Sequence, residues 1–562
     1  RRQRQMCIRD TWRRCYGVWN TIFTIWGIVH GGWTFGFWPT LSARLFSGRN
    51  FEQSQPMNQL KVGALLNYVV LGLNSLIGLL YTPYMLRMMG QSEYGIYSLA
   101  ASVIAYLTIM DCGFGNAIIR YTAKFRAEGK FQEQHAMFGM FFILYSIIGI
   151  VAFLIGIALY LNIDSLFIST MTPEELSRVR IMILILSFNL AVTFPFSIYN
   201  SIITAYEDFV FQKVVNIARI IFNTVVMICL LEMGYKAIAM VVVQTVFNLT
   251  TLLLNLFYCK YKIHIQFIFR KFRWEFLREV AVYSFWIFLS AIIDRVYWST
   301  GQFVLGAVKG TVAVAVFAVV IQLGYMYISF STAISGVFLP KVSAMVTKNV
   351  SNKEISDLFI RTGRIQYIVM AYILSGFIVF GKAFITIWAG EGYEDAYIMT
   401  LFFFVSLTIP AIQNVGVTIL QARNQMKFRT LLYLVIAVVS LIMQIVLSRL
   451  FGGIGCAIAI AGALFLGQGI VMNFYYQRVQ HLDIRRFWRE IGNMSFVPII
   501  LTMVGCYILP YIDVGNIYKL GVVAGAFSIL YVLLLWPFGI SSYERNLFRQ
   551  PLVNLYHRIS RI

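Results

Sequence analysis

The sequence predicts an all-α polytopic membrane protein of about fourteen transmembrane helices, and three observations carry that prediction. Charged residues make up 12% of the 562 and hydrophobic ones 59%, with a mean hydropathy of +0.73; soluble proteins carry roughly 25% charged residues. Apolar stretches separated by short polar loops fill the chain from Met57 onward, and each has about the 20 residues a helix needs to cross a bilayer core of roughly 30 Å. These stretches lack the alternation of a barrel strand. Lipid offers backbone groups no partner, so helices are the remaining way to span.

The spans fall near 63–86, 94–117, 137–161, 181–205, 210–231, 237–258, 281–305, 311–337, 366–388, 396–420, 430–450, 454–476, 492–511 and 517–538. With Met57 inside, the gaps facing inward hold 28 Lys and Arg residues and those facing outward hold seven. The excess of positive charge marks the cytoplasmic side, so both termini are expected there. The same asymmetry accounts for the net charge of +22 without any nucleic-acid partner.

Residues 1–56 do not fit this topology. A crossing near 17–40 would place Met57 outside and invert every later loop. The opening RRQRQMCIRD resembles a translated sequencing adapter, whereas Met57 begins a plausible start, MNQLKVG. Residues 1–56 are therefore expected to be an artefactual extension, with a signal peptide as the rival reading.

The remainder divides into two similar six-span lobes, 57–260 and 261–480, followed by 481–562 with two extra spans and a cytoplasmic tail. Four matches recur at an offset near 215. The clearest are Thr193-Phe194-Pro195 against Thr408-Ile409-Pro410, and AYEDFVFQK against QARNQMKFR. Six spans per unit leave the two copies in the same orientation, related by an axis along the membrane normal.

Polar residues at membrane depth either face a cavity or bond neighbouring helices. Asn67 and Asn74 share a face of the first span; Asn189 and Thr193 lie in the fourth, Asn216, Arg219 and Asn223 in the fifth, and Asn248 in the sixth. Charges at depth cost more than amides. Arg219 lies about nine residues into its helix, roughly 13 Å at 1.5 Å per residue. Asp294 and Arg295 sit mid-span at the start of the second lobe. A cavity lined by Arg219, Arg295, Asp294, Asn67, Asn74, Asn216, Asn223 and Asn248 is the expected binding site. Arginine there suits a phosphate-bearing substrate, because guanidinium and phosphate pair in bidentate geometry.

No catalytic constellation accompanies these residues. His135, His264, His481 and His557 lie in loops or tails without metal-ligand spacing, and neither a P-loop nor a nucleophile elbow is present. Neither an enzyme nor a cofactor-dependent protein is expected; a coupling cation, proton or sodium, is left unidentified. The five cysteines from Cys112 to Cys506 lie in or beside apolar spans and suggest no disulfide framework.

The segment YTPYMLRMMGQSEYGIYSLAASVIAYLTIMDCGFGNAIIRYTAKFRAEGK, from Tyr81 to Lys130, resembles the polysaccharide biosynthesis, O-antigen flippase-type family of the multidrug/oligosaccharidyl-lipid/polysaccharide exporter superfamily. The shared pattern is Pro83, Arg87, Gly90, Glu93, Tyr94 and Gly95, then Asp111, Gly113, Gly115, Ala117 and Arg120. Asp294-Arg295 resembles the acidic-basic pair that opens the family's second lobe. The resemblance implies two six-helix lobes around a central cavity. It also implies a flippase for undecaprenyl-pyrophosphate-linked oligosaccharide in the bacterial cytoplasmic membrane, working beside polysaccharide polymerase or export machinery. The runner-up is an ion-coupled multidrug exporter of the same superfamily, which would want carboxylates rather than arginines at cavity depth. A membrane polysaccharide polymerase or ligase ranks below both, because no sizeable external loop is available to it.

Overall fold

The computed structural model describes residues 56–541, 543–546 and 549, less 270–273, 349 and 424. The described residues from Leu60 onward belong to one compact unit. Apart from Pro56, the expected extension 1–56 lies outside the described residues.

The described secondary structure is helical throughout. The chain runs α1 (Pro56–Met89), α2 (Gln91–Leu107), α3 (Phe114–Ala127), α4 (Phe131–Phe167), α5 (Pro173–Ala205), α6 (Phe209–Glu232) and α7 (Ala237–Tyr258). It continues with α8 (Trp274–Trp298), α9 (Thr300–Lys309), α10 (Thr311–Thr347), α11 (Asn352–Ala389), α12 (Asp395–Ile412) and α13 (Asn414–Ala422). Last come α14 (Met426–Leu464), α15 (Met472–Arg478), α16 (Ile484–Ile508) and α17 (Ile517–Phe538).

Twelve stretches among the described residues are long and apolar enough to cross a membrane. Hydropathy alone predicts fourteen, and the difference has two sources. One stretch, Met426–Arg478, is 53 residues long and covers both expected spans 430–450 and 454–476; Gly452 breaks it with φ 60° and ψ −135°. The expected span 281–305 is absent from the twelve: Asp294 and Arg295 sit midway along it, and it is broken between α8 and α9.

Local chemistry sets the helix ends. Thr172 and Glu175 form a reciprocal capping box ahead of α5, with Pro173 in its first turn, which satisfies two otherwise orphaned amide groups. Ser351 and Asp483 cap α11 and α16 through the amides of Glu354 and Arg486. Gly90 turns α1 into α2 at φ 81°, a left-handed conformation that a side chain disfavours.

Within the first half, α5 is the hub, packing against α2, α3, α4 and α7. In the second half α12 lies against α10, α11 and α14. The main contact between the halves is α2 on α10. There a Cβ at Gly95 would overlap the Thr311 carbonyl, so the two backbones meet directly. Helices α16 and α17 pack on α11. The exterior is apolar: Leu161, Val522 and Phe538 are each at least two-thirds exposed, which only a lipid environment accommodates.

The close approach at Gly95 yields a stability prediction. Gly95→Ala is expected to cost about 1–3 kcal/mol through overpacking and to lower the melting temperature in detergent. Gly72, which has open space around its Cβ position, serves as control: Gly72→Ala is expected to be neutral or stabilising. Equal melting temperatures for the two variants would show that the halves do not meet at Gly95.

Candidate functional site: a membrane cavity sealed at one end

A cavity of about 310 Å³ lies between the halves, lined by α1, α2, α9 and α10. Its polar lining is neutral: Asn74, Tyr97, Ser98, Gln302, Gln322 and Tyr325. Tyr94 and apolar side chains complete the wall. Gln322 Nε2 donates to the Gly78 carbonyl at 3.0 Å and to Thr82 Oγ1 at 2.6 Å, which ties α10 to α1. Tyr97 donates from its hydroxyl to Gln244 Oε1 at 3.2 Å.

Beside this cavity, at Leu79 next to the lining residue Gly78 and on toward Gln91, bonds between the halves form a seal. Arg87 Nη2 donates to the Ile387 carbonyl at 2.6 Å and Gln91 Nε2 to the Gly392 carbonyl at 2.7 Å. Ile387 stands in the last turn of α11, whose final carbonyls have no helical partner, and a cation is favoured there by the helix dipole. In return, the Trp388 indole N–H donates to the Leu79 carbonyl at 2.6 Å. Leu79 precedes Pro83 by four residues, and proline has no N–H with which to close that helical bond. The closure therefore consists of two helices, each donating a side chain to a carbonyl left open on the other. Nearby, Glu175 accepts from Thr311 Oγ1 at 2.9 Å and from Ser92, and buried Glu93 pairs with Arg178.

This geometry gives structural roles to much of the recognised pattern. Pro83, Arg87, Gly90, Glu93 and Gly95 build the closed end. Tyr94 is buried and lines the cavity. Asp111 and Gly113 form the break between α2 and α3, and Gly115 follows in the first turn of α3. Asp111 accepts from the buried Tyr145 hydroxyl at 2.8 Å, Gly113 turns at φ 71° with Ile287 against it, and Gly115 lies beside Ser201 and Tyr145. Arg120 is exposed beyond that break.

The candidate cavity residues do not converge on one chamber. Asn74 lines the central cavity. Asn67 accepts from Lys213 Nζ at 2.7 Å, and Arg219 donates to Asn216 on its own helix at 3.0 Å. Asn223 keeps a buried Oδ1 without a partner among the described residues. Asn248 donates to Asn189 and Thr193, both at 2.8 Å, so it is engaged in bonding α7 to α5. Asp294 lines a second cavity of about 190 Å³ inside the second half, with Tyr297, Gln413, Asn414, Arg429 and Tyr433. Arg295 lies within electrostatic reach of Tyr325. Tyr325 stacks on Trp298 with ring centroids 4.2 Å apart; Tyr325 lines the central cavity and Trp298 the second one. Arg219 and Arg295 line neither cavity.

Several lining residues escape a reading of the sequence. Gln302 and Gln322 sit in apolar spans and carry the same polar-at-depth signal as the asparagines. The charge pattern puts Arg429 in a cytoplasmic loop. It stands in the first turn of α14, with its guanidinium over Tyr433 at 4.3 Å; the i, i+4 spacing of the two is the available signal. Among the described residues no group of three His, Cys, Asp or Glu is placed to hold a metal ion.

The closed end is testable by amide hydrogen exchange. Pro83→Ala returns an N–H that competes for the Leu79 carbonyl, and Trp388→Phe removes the competing donor. Each is expected to speed exchange across residues 86–96, and the double variant should exceed neither by much, because both act on one bond. Additive effects would show that Pro83 and Trp388 act independently.

The chain matches the profile of the polysaccharide biosynthesis protein family over residues 60–346. No curated protein matches its sequence. Among solved structures it is similar to the lipid II flippase MurJ in an inward closed conformation, at 16% identity and TM-score 0.65, covering 88% of this chain and 99% of that one. It is also similar to an inward-facing multidrug resistance MATE family transporter of the MOP superfamily, at 16% identity and TM-score 0.57, covering 74% and 99%. A third is the MATE multidrug transporter DinF-BH, at 14% identity and TM-score 0.53, covering 76% and 96%. At these identities the likeness shows the fold: a multi-pass helical membrane transporter fold. The match over more than half its length places the chain in the polysaccharide biosynthesis protein family.

Proposed function

We propose that this protein is a flippase that carries undecaprenyl-pyrophosphate-linked oligosaccharide from the inner to the outer leaflet of the bacterial cytoplasmic membrane. The observation that carries this reading is the lining of the central cavity. Amides, hydroxyls and tyrosines, with no carboxylate among them, offer directional hydrogen bonds and flat apolar faces to a polyhydroxylated ligand. The 28-to-7 distribution of positive charge supports a topology with the sealed end outside and both termini in the cytoplasm. The cavity is then closed to the outside, and transport proceeds by breaking the seal in alternation with closure of the opposite end. Arg295 and Arg219, which line neither cavity in this structure, supply positive charge for the pyrophosphate and acidic sugars once the seal has opened. A proton or sodium gradient drives the cycle, and the exported unit passes to a polysaccharide polymerase.

The multidrug reading predicts different chemistry. An organic cation would need a carboxylate in the central cavity, and the one at comparable depth in the second half, Asp294, shares its chamber with Arg429.

Arg295→Gln and Arg219→Gln are expected to abolish surface glycan in a strain that depends on this protein, with membrane protein levels unchanged. Normal export from both variants would rule out the arginines as substrate contacts. Expression of the wild-type chain is expected to leave resistance to organic cations unchanged; a clear rise would favour the multidrug reading.

A further inference from the structure

Helix α11 links two places that are far apart. It is one continuous helix of 38 residues, about 57 Å long at 1.5 Å per residue. Its last turn supplies the Ile387 carbonyl and the Trp388 indole to the seal. About a third of the way along from its other end, about 35 Å from Ile387 by the same rise, it carries Arg364, which is 8% exposed. Arg364 grips Glu544, a fully buried residue just beyond α17, through Nε at 2.6 Å and Nη2 at 2.9 Å. Arg364 Nη2 also donates to the Gly539 carbonyl at 3.1 Å, and Nη1 reaches Glu490 of α16 at 3.5 Å. Arg486 extends the cluster, bonding Glu490 at 2.9 Å and Asp357 at 2.6 Å. Arg361 lies over the Tyr543 ring at 4.8 Å.

Between these ends, α16 and α17 follow α11 as a splint. Tyr367 bonds Ser495 at 2.6 Å, Tyr531 donates to the Ile368 carbonyl at 2.9 Å, and Tyr372 bonds Ser528 at 2.5 Å. Further along, Phe380 meets Phe527 edge-on and Gly505 packs against Val379. Burial alone would push the Glu544 carboxyl up. The bonds from Arg364 and from Ser541, whose N–H donates at 2.6 Å, hold it below the usual carboxylate range. Its contribution is therefore present above that range and lost only as the medium turns acidic, so the grip is charged and closed at neutral pH.

We infer that the C-terminal tail is a latch: through the Glu544–Arg364 pair it fixes α11 against α16 and α17, and so sets the strength of the seal at the far end of α11. A buried bidentate pair is strongly directional, and removing Glu544 leaves Arg364 only the Gly539 carbonyl and the longer contact to Glu490. The long helix carries the resulting displacement to Ile387 and Trp388. The latch does not depend on the identity of the transported molecule.

The test is amide hydrogen exchange on the full-length protein in detergent, comparing wild type with Glu544→Gln. Exchange is expected to rise several-fold at residues 86–96 and 387–394, while residues 248–258 of α7, where Asn248 bonds α5 rather than either end of α11, stay unchanged. Unchanged exchange at the seal, whether or not residues 539–546 loosen, overturns the inference. An equal rise in α7 also overturns it, because it marks general destabilisation. If Glu544→Gln is not recovered folded, Arg364→Lys, which keeps the charge and loses the fork, is measured in its place with the same outcomes. Because the protein is purified and no substrate is added, failure here is distinct from failure of the flippase reading.

Discussion

The fold depends on an exchange of carbonyl partners between α1 and α11. Pro83 leaves the Leu79 carbonyl without its helical donor, and the end of α11 leaves the Ile387 carbonyl in the same condition. The Leu79 carbonyl lies within an apolar helix, where an unsatisfied group costs several kcal/mol; the Ile387 carbonyl stands at a helix end, where the exposed Arg87 meets it. Trp388 and Arg87 resolve both deficits at once, but only while the two halves are together. The seal is therefore built from backbone deficits that either half alone cannot meet. Side-chain-to-backbone bonds of this kind give a closure that is specific yet made of few bonds, as a transporter that must reopen requires.

The same logic separates the two cavities. The central one draws its lining from both halves, so opening the seal changes its shape. The second lies within one half and carries opposite charges, Asp294 and Arg429, on its walls. The stacked Trp298 and Tyr325 stand between them. Movement at the seal would be felt directly by the first cavity and through this aromatic pair by the second.

Much of the architecture was legible because membrane helices announce themselves by length and apolarity, and their orientation by charge. Glycine positions were legible too: Gly90 and Gly113 adopt positive φ, and the motif places them correctly at turns. What stayed hidden were relations across the halves. Pro83 reads in sequence as a family signature; its function appears only when Trp388, 309 residues from Leu79, is set beside it. Asn248 and Asn74 look alike as polar residues at depth. One bonds a neighbouring helix and the other faces a cavity, a distinction that depends on rotation about the helix axis and on what α5 presents. Arg429 lies one residue before an expected span and reads as a loop charge, because snorkelling cations are common at such ends. The C-terminal pair of helices, in sequence only an addition, proves to lie along the very helix that closes the seal.

The most direct measurement is reconstitution of the purified wild-type protein in liposomes carrying a lipid-linked oligosaccharide with an undecaprenyl-pyrophosphate anchor. The fraction of glycan accessible to an external sugar-modifying enzyme is then followed over time. For a flippase, accessibility rises beyond the outer-leaflet fraction, with protein present, toward complete modification. Accessibility that halts at the outer-leaflet fraction, with liposomes and protein intact and a proton or sodium gradient applied, would contradict that function.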